Sequence, residues 1–118
     1  MSDELWCVVG NVKKEIPFGP DGGELKSGLK HFKAGAKIHI VGSYSGGCEN
    51  IIAIGHHRKS GKYIHCVIRV REVENLRVKI IYSKSILSFL CGFQPNGAEI
   101  HTTQESAEYL AELISLWQ

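Results

Sequence analysis

Three of the six histidines in this 118-residue chain, His56, His57 and His65, flank one basic turn, Arg58-Lys59-Ser60-Gly61. Across a hairpin, His56 or His57 would approach His65. Two imidazoles beside a Lys or Arg could run metal-free ribonuclease chemistry. One ring would take the 2′-hydroxyl proton, the other would protonate the leaving oxygen, and the cation would stabilise the phosphorane. Neighbouring strand residues point to opposite faces, however, so His56 and His57 cannot both aim at one substrate. Exposed strand-end histidines are the simpler expectation. Cys48, His56, His57 and Cys66 are zinc-ligand types, but their gaps match no usual structural zinc spacing. The run from Gly55 to Lys62 resembles a phosphate loop. It has one residue too many between its glycines, and Tyr63 stands where Ser or Thr must hold magnesium. No Gly-x-Ser-x-Gly elbow marks a hydrolase nucleophile. The residues therefore name no catalytic group, no metal ligand and no cofactor, and the expectation is a protein that is not an enzyme.

Charge is the stronger signal. From Lys26 to Lys84 the chain holds eight Lys and four Arg against three Glu, whereas the flanks hold nine acids against Lys13 and Lys14. A basic middle between acidic ends suits a polyanion or an acidic protein as partner, or ends that fold back and pair with the middle. Hydrophobic residues at 43% and charged residues at 22% are ordinary globular usage, enough for one domain over residues 1–118. The acidic start, Ser2-Asp3-Glu4, lacks the charge and apolar run of a secretory signal. No apolar run approaches the roughly 18 residues of a membrane span. Cys7, Cys48, Cys66 and Cys91 form no Cys-x-x-Cys pair and read as reduced thiols of a cytoplasmic chain.

The elements that would position these groups are mostly strands. Residues 5–12 are Val-rich, with Gly10 marking a bulge or a close backbone approach. Residues 17–23 are loop chemistry, and residues 30–37 are a turn feeding a strand at 37–41. Residues 42–47 read as a flexible loop, and 49–56 as a strand. Gly61 can take a positive φ at the hairpin tip. Residues 62–70 alternate cleanly, with Ile64, Cys66, Ile68 and Val70 on one side. Leu76, Val78 and Ile80 repeat the scheme over 76–82. Ser83 caps a helix bearing Ile86, Leu87, Phe89 and Leu90, which stops near Gly92 and Pro95. Thr102 and Glu105 suggest a capping box for a last helix, with Ala107, Leu110, Leu113, Ile114 and Trp117 on its apolar stripe. The expected fold is α+β: a curled antiparallel sheet, or a small SH3-like barrel over residues 32–82, with two C-terminal helices, the last burying its apolar stripe on one face of the sheet.

Alternation sends His39, Tyr63, His65, Arg69, Arg77 and Lys79 to the side opposite the apolar one. If the strands are neighbours, they form a basic, partly aromatic face. Such a face could hold single-stranded nucleic acid through stacking and phosphate contacts, or meet an acidic protein. A plain solvated sheet face is the commonest case.

Four segments carry a family resemblance: Leu5-Trp6-Cys7-Val8-Val9-Gly10-Asn11-Val12, Lys30-His31-Phe32 with Gly35-Ala36-Lys37, Gly55-His56-His57-Arg58-Lys59-Ser60, and Asn75-Leu76-Arg77-Val78-Lys79. Together the chain resembles small bacterial proteins encoded as immunity genes beside contact-dependent growth inhibition and other polymorphic toxin loci. The resemblance implies a non-catalytic protein that binds and neutralises a cognate toxin domain, and it carries over no individual residue. Electrostatic complementarity would speed capture and set specificity. Nuclease toxins are basic at their substrate groove. Contact with one would therefore fall to the acidic C-terminal helix, through Glu105, Glu108 and Glu112, or to the N-terminal acids. Docking through the basic face would call for an acidic toxin surface.

Overall fold

A computed structural model of the chain describes residues 5–14, 27–44, 49–91, 93 and 95–118. The loop expected at 17–23, the N-terminal acids at 3 and 4, Cys48 and Gly92 lie outside these residues. Six strands form one antiparallel sheet: β1 (Trp6–Val12), β2 (Lys37–Tyr44), β3 (Asn50–His56), β4 (Tyr63–Arg69), β5 (Val73–Ile80) and β6 (Ala98–Ile100). Their order is β4-β3-β2-β1-β5, and β6 pairs with the part of β2 that lies beyond its pairing with β1. The sheet is open, with β4 at one end and β5 at the other, rather than closed into a barrel.

Residues 42–44 extend β2 instead of starting a loop. Between Ile40 and Gly42 the register with β3 shifts, and Val41 is the extra residue. A second shift falls opposite Gly10, as its position in the Val-rich run suggested, and there Asn75 of β5 takes φ 57. Asn tolerates that left-handed conformation better than most residues because its short polar side chain can bond locally. The hairpin from β3 to β4 turns at Arg58–Ser60, and Gly61 has φ 73.

The alternation is right about which residues share a side, but the second side is not simply solvated. On the first face, Val8, Ile38, Ile40, Ile51, Ala53, Ile68 and Val73 form the larger core. The helix α3 (Gln104–Trp117) covers it with Ala107, Leu110 and Ile114. Phe32, which follows the short helix α1 (Ser27–His31), fills the remainder. On the second face, Cys7, Val9, Val41, Ile52 and Ile54 form another core with Ile81 and with Ile86 of α2 (Lys84–Leu90). Each fully buried aliphatic side chain contributes about 1.5–3 kcal/mol relative to exposure. That decides the matter for α2, which at seven residues is too short to be stable alone.

The caps are local chemistry. Ser83 accepts from the Ile86 amide, as its position predicts. For α3 the cap sits one residue later than the expected Thr102–Glu105 pair. Thr103 accepts from the Ser106 amide at 3.1 Å, and the Ser106 hydroxyl accepts from the Thr103 amide at 3.2 Å. Ser at the third helical position can complete such a box as Glu does, which is why the spacing alone misplaced it. Trp117 is half exposed rather than part of the buried stripe. At the other end of α3, Gln118 donates to the carbonyls of Val70 and Val73.

β6 approaches β2 so closely that a methyl on Gly42 would collide with the Glu99 carbonyl oxygen and lie 3.1 Å from Ile100 Cδ1. Gly42→Ala should therefore destabilise the fold by about 1–3 kcal/mol, as overpacking does. Urea unfolding of the variant measures this, and an unchanged midpoint would show that β6 does not hold this position.

Candidate functional site

Among the described residues the second face is only partly covered. α2 leans toward the β4 side, where His65 lies against Phe89 at 5.7 Å and Phe93 at 4.9 Å between ring centroids. Beside it a cleft of about 670 Å³ is left, lined by residues of β1 to β5. Its floor is Cys7, Val9 and Ile81, and Tyr82 and Ser83 stand at the entry to α2. Lys37 and His39 from β2, His56 from β3, Tyr63 from β4 and Lys79 from β5 supply the polar lining.

Register explains why these residues meet. His39 pairs with Val9 on one side and Ile54 on the other, Val9 pairs with Arg77, and Cys7 pairs with Lys79. His39, Val9 and Arg77 thus form a row across the face. Arg77 donates to Asn11 Oδ1 at 2.9 Å and to the Asn75 carbonyl at 2.7 Å, so the bulge itself holds the guanidinium. Asn11 in turn donates to the Gly35 carbonyl at 3.1 Å. His56 and Tyr63 pair across the β3–β4 hairpin with ring centroids 4.0 Å apart, and the Gly61 carbonyl lies 2.8 Å from His56 Nδ1.

The expected basic face therefore divides. His39, Tyr63 and Lys79 line the cleft, and Arg77 stands beside it. His65 belongs to the aromatic cluster under α2. Arg69, at the far end of β4, lies roughly 20 Å from Tyr63 along the strand. Lys37 and His56 were not among the expected residues. Lys37 is two positions from His39 and so shares its side, and His56 follows from the hairpin register with Tyr63; period-two counting across both strands would have found them.

Register sets His56 diagonal to His65 rather than directly opposite it, because His56 pairs with Tyr63 and His65 with Ile54. His57 Nδ1 accepts from the amides of Lys59 at 3.1 Å and Ser60 at 3.4 Å, so it serves its own turn. His56 stacks on Tyr63, whereas His65 lies against two phenylalanines. Burial pushes the thiol of Cys7 up to about 12, and burial with Glu72 does the same to Cys66, so both are protonated at neutral pH. Among the described residues no group of three or more His, Cys, Asp or Glu side chains is placed to hold a metal ion.

Glu105, Glu108 and Glu112 lie on the other side of the sheet, exposed along the outer stripe of α3 with Tyr109 and Leu116. That helix carries no Lys or Arg. Beside the stripe, Leu76 and Val78 of β5 border a shallow groove of about 550 Å³ with Ala111 and Leu116. Comparison with protein-family models, with curated proteins and with solved structures returned no match.

Burial first, then Lys37 and Arg77, lower His39 from 6.5 to about 4, so the ring is neutral at pH 7. A base held neutral by folding stabilises fully above pH 6.5, and that stability is lost as pH falls from 6.5 through 4. The stability difference between the wild type and His39→Gln should therefore shrink by about 1–2 kcal/mol between pH 7 and 5, allowing for the half-buried ring's contact with solvent. Urea titrations at both pH values test it. A difference independent of pH would place the ring in water.

Proposed function

We propose that the chain is a non-catalytic immunity protein, which binds and neutralises a cognate bacterial toxin domain of the contact-dependent growth inhibition kind in the cytoplasm. The observation that carries this reading is the outer stripe of α3. Tyr109 is 55% exposed and Leu116 82% exposed, and they share the stripe with Glu105, Glu108 and Glu112. Exposed aromatic and aliphatic anchors set among like charges are what a protein interface uses: the anchors supply affinity by desolvation, and the charges select a complementary partner. With three carboxylates and no cation on α3, the partner of this surface is a toxin domain with a cationic groove, as nuclease toxins have.

The absence of a membrane-spanning helix among the described residues accords with an inhibitor that meets its toxin in an aqueous compartment. The face-to-face division of charge supports the same reading. The acidic helix stands on one side of the sheet and the basic cleft on the other, so a cationic partner is steered to α3 and repelled from the cleft.

Co-expression with the toxin encoded by the neighbouring gene should protect cells, and the two proteins should co-purify. Replacing Glu105, Glu108 and Glu112 together by Lys should weaken capture by about 100-fold or more, mainly through slower association at low salt. A triple variant that still protects and binds like the wild type would remove α3 from the interface. A neighbouring product that neither binds nor poisons cells would defeat the immunity reading.

A further inference from the structure

The cleft on the second face is not needed for docking through α3, which lies across the sheet from it. Its volume of about 670 Å³ is that of a small-molecule site, within the usual range of roughly 300–1,000 Å³. Lys37 and Lys79 line it, and among the described residues no carboxylate lines it and neither lysine has a carboxylate partner within 4.0 Å. Arg77 adds a third cation beside Val9. Lys37 and Lys79 are exposed, and their charges over the apolar floor of Cys7, Val9 and Ile81 favour an anion there.

The other features specify more than charge. At one end, the Tyr63 and His56 rings lie 4.0 Å apart at a tilt of 33° and give an aromatic surface against which a planar ring can lie. At the other end stands Lys79. By register it is beside Cys7, while Lys37 is beside Asn11, which sets the two lysines roughly 16 Å apart at Cα. That spacing suits an extended ligand with distinct ends better than a lone inorganic ion. Between them the partly exposed ring of His39 lines the cleft and presents a polar edge to it, while its Nδ1 is buried without a hydrogen-bond partner.

We propose that this cleft binds a nucleoside phosphate, with the base against the Tyr63–His56 pair, the phosphate drawn across Val9 toward Lys79, and His39 meeting the polar edge between them. The same chemistry is offered by a free nucleotide and by the phosphorylated end of an oligonucleotide. The proposal does not depend on the toxin-binding reading, because its residues and those of α3 are on opposite sides of the sheet.

Calorimetric titration of the full chain with ATP, adenosine, inorganic phosphate and a 5′-phosphorylated tetranucleotide tests it. ATP should bind saturably in the micromolar to millimolar range. Lys79→Ala should weaken ATP by about tenfold, the loss of one charge-assisted contact, and leave adenosine unchanged. Tyr63→Ala should weaken ATP and adenosine alike. Lys79 is an exposed side chain, so its variant should keep the wild-type circular dichroism and melting temperature, and it decides the question even if the Tyr63 variant is unstable. A tetranucleotide that binds more tightly than ATP, with the same loss in Lys79→Ala, identifies a strand end as the source; equal or weaker binding identifies the free nucleotide. Four results would overturn the proposal: no saturable binding of ATP or of the tetranucleotide, phosphate binding as tight as ATP, ATP affinity unchanged in Lys79→Ala, or adenosine affinity lowered in Lys79→Ala as much as that of ATP. Toxin capture through α3 should be unaffected by Lys79→Ala, so failure of either reading leaves the other standing.

Discussion

The central strands are apolar on both faces, and everything else in the molecule answers to that. Val8 and Cys7 are neighbours in β1 and both are fully buried, on opposite sides; Ile51, Ile52, Ala53 and Ile54 repeat the pattern in β3. A sheet of this kind must be covered twice. Among the described residues one helix is long, α3, which with Phe32 closes the first face. The second face gets a seven-residue helix and the aromatics Phe89 and Phe93. That cover packs most against β4 and joins the second core through Ile86, and the cleft opens beside it. The cleft is what remains when two apolar faces are served by helices of unequal length.

The same fact explains where alternation in the sequence was informative and where it misled. It assigned the residues of β4, and Leu76 to Lys79 of β5, to the sides they occupy, though β5 starts at Val73 rather than at Leu76, and it identified the helix that caps at Ser83. It then treated the side opposite Ile64, Cys66 and Ile68 as solvent. β4 is an edge strand, and its second side is indeed partly exposed, with Val67 at 44%. The inner strands differ. The runs Cys7-Val8-Val9 and Ile51-Ile52-Ala53-Ile54 do not alternate at all, and an unbroken apolar run is the mark of a strand buried on both faces. The barrel rhythm over residues 32–82 failed for a related reason. β1 enters the sheet between β2 and β5, so the strands that would have closed a barrel are held apart. The elements that went unforeseen, α1 with five residues and β6 with three, are too short to show a period, and tertiary contacts define them.

For the sites, legibility followed the kind of spacing involved. Glu105, Glu108 and Glu112 recur at helical intervals, and a stripe on one helix is fixed by local geometry whatever the sheet does. The cleft required knowledge of strand order, which single-strand patterns lack. Six cationic or aromatic residues shared a side, but the distance between β4 and β5, at opposite ends of the order, decided which could act together. Tyr63 reaches the cleft only because it pairs with His56 at the inner edge of the hairpin, while Arg69 on the same strand faces another part of the surface.

The bulge at Asn75 links fold to charge. Without the extra residue, β5 would continue its earlier register past Gly10, and the carbonyl of Asn75 would not turn to receive Arg77. Arg77 would then lose a partner that fixes it beside Val9, where its charge helps keep His39 neutral. A neutral His39 is what the core beneath requires, because a charged ring next to Val9 and Ile54 would be desolvated without a counterion. Cationic groups can crowd this end of the sheet only because the central imidazole carries no proton to add to them. Like charges on a partly apolar surface repel one another, and the repulsion is relieved by solvent at the rim or by an anion. The open side of the second face supplies both conditions: lysines long enough to reach water, and a floor where water is a poor competitor.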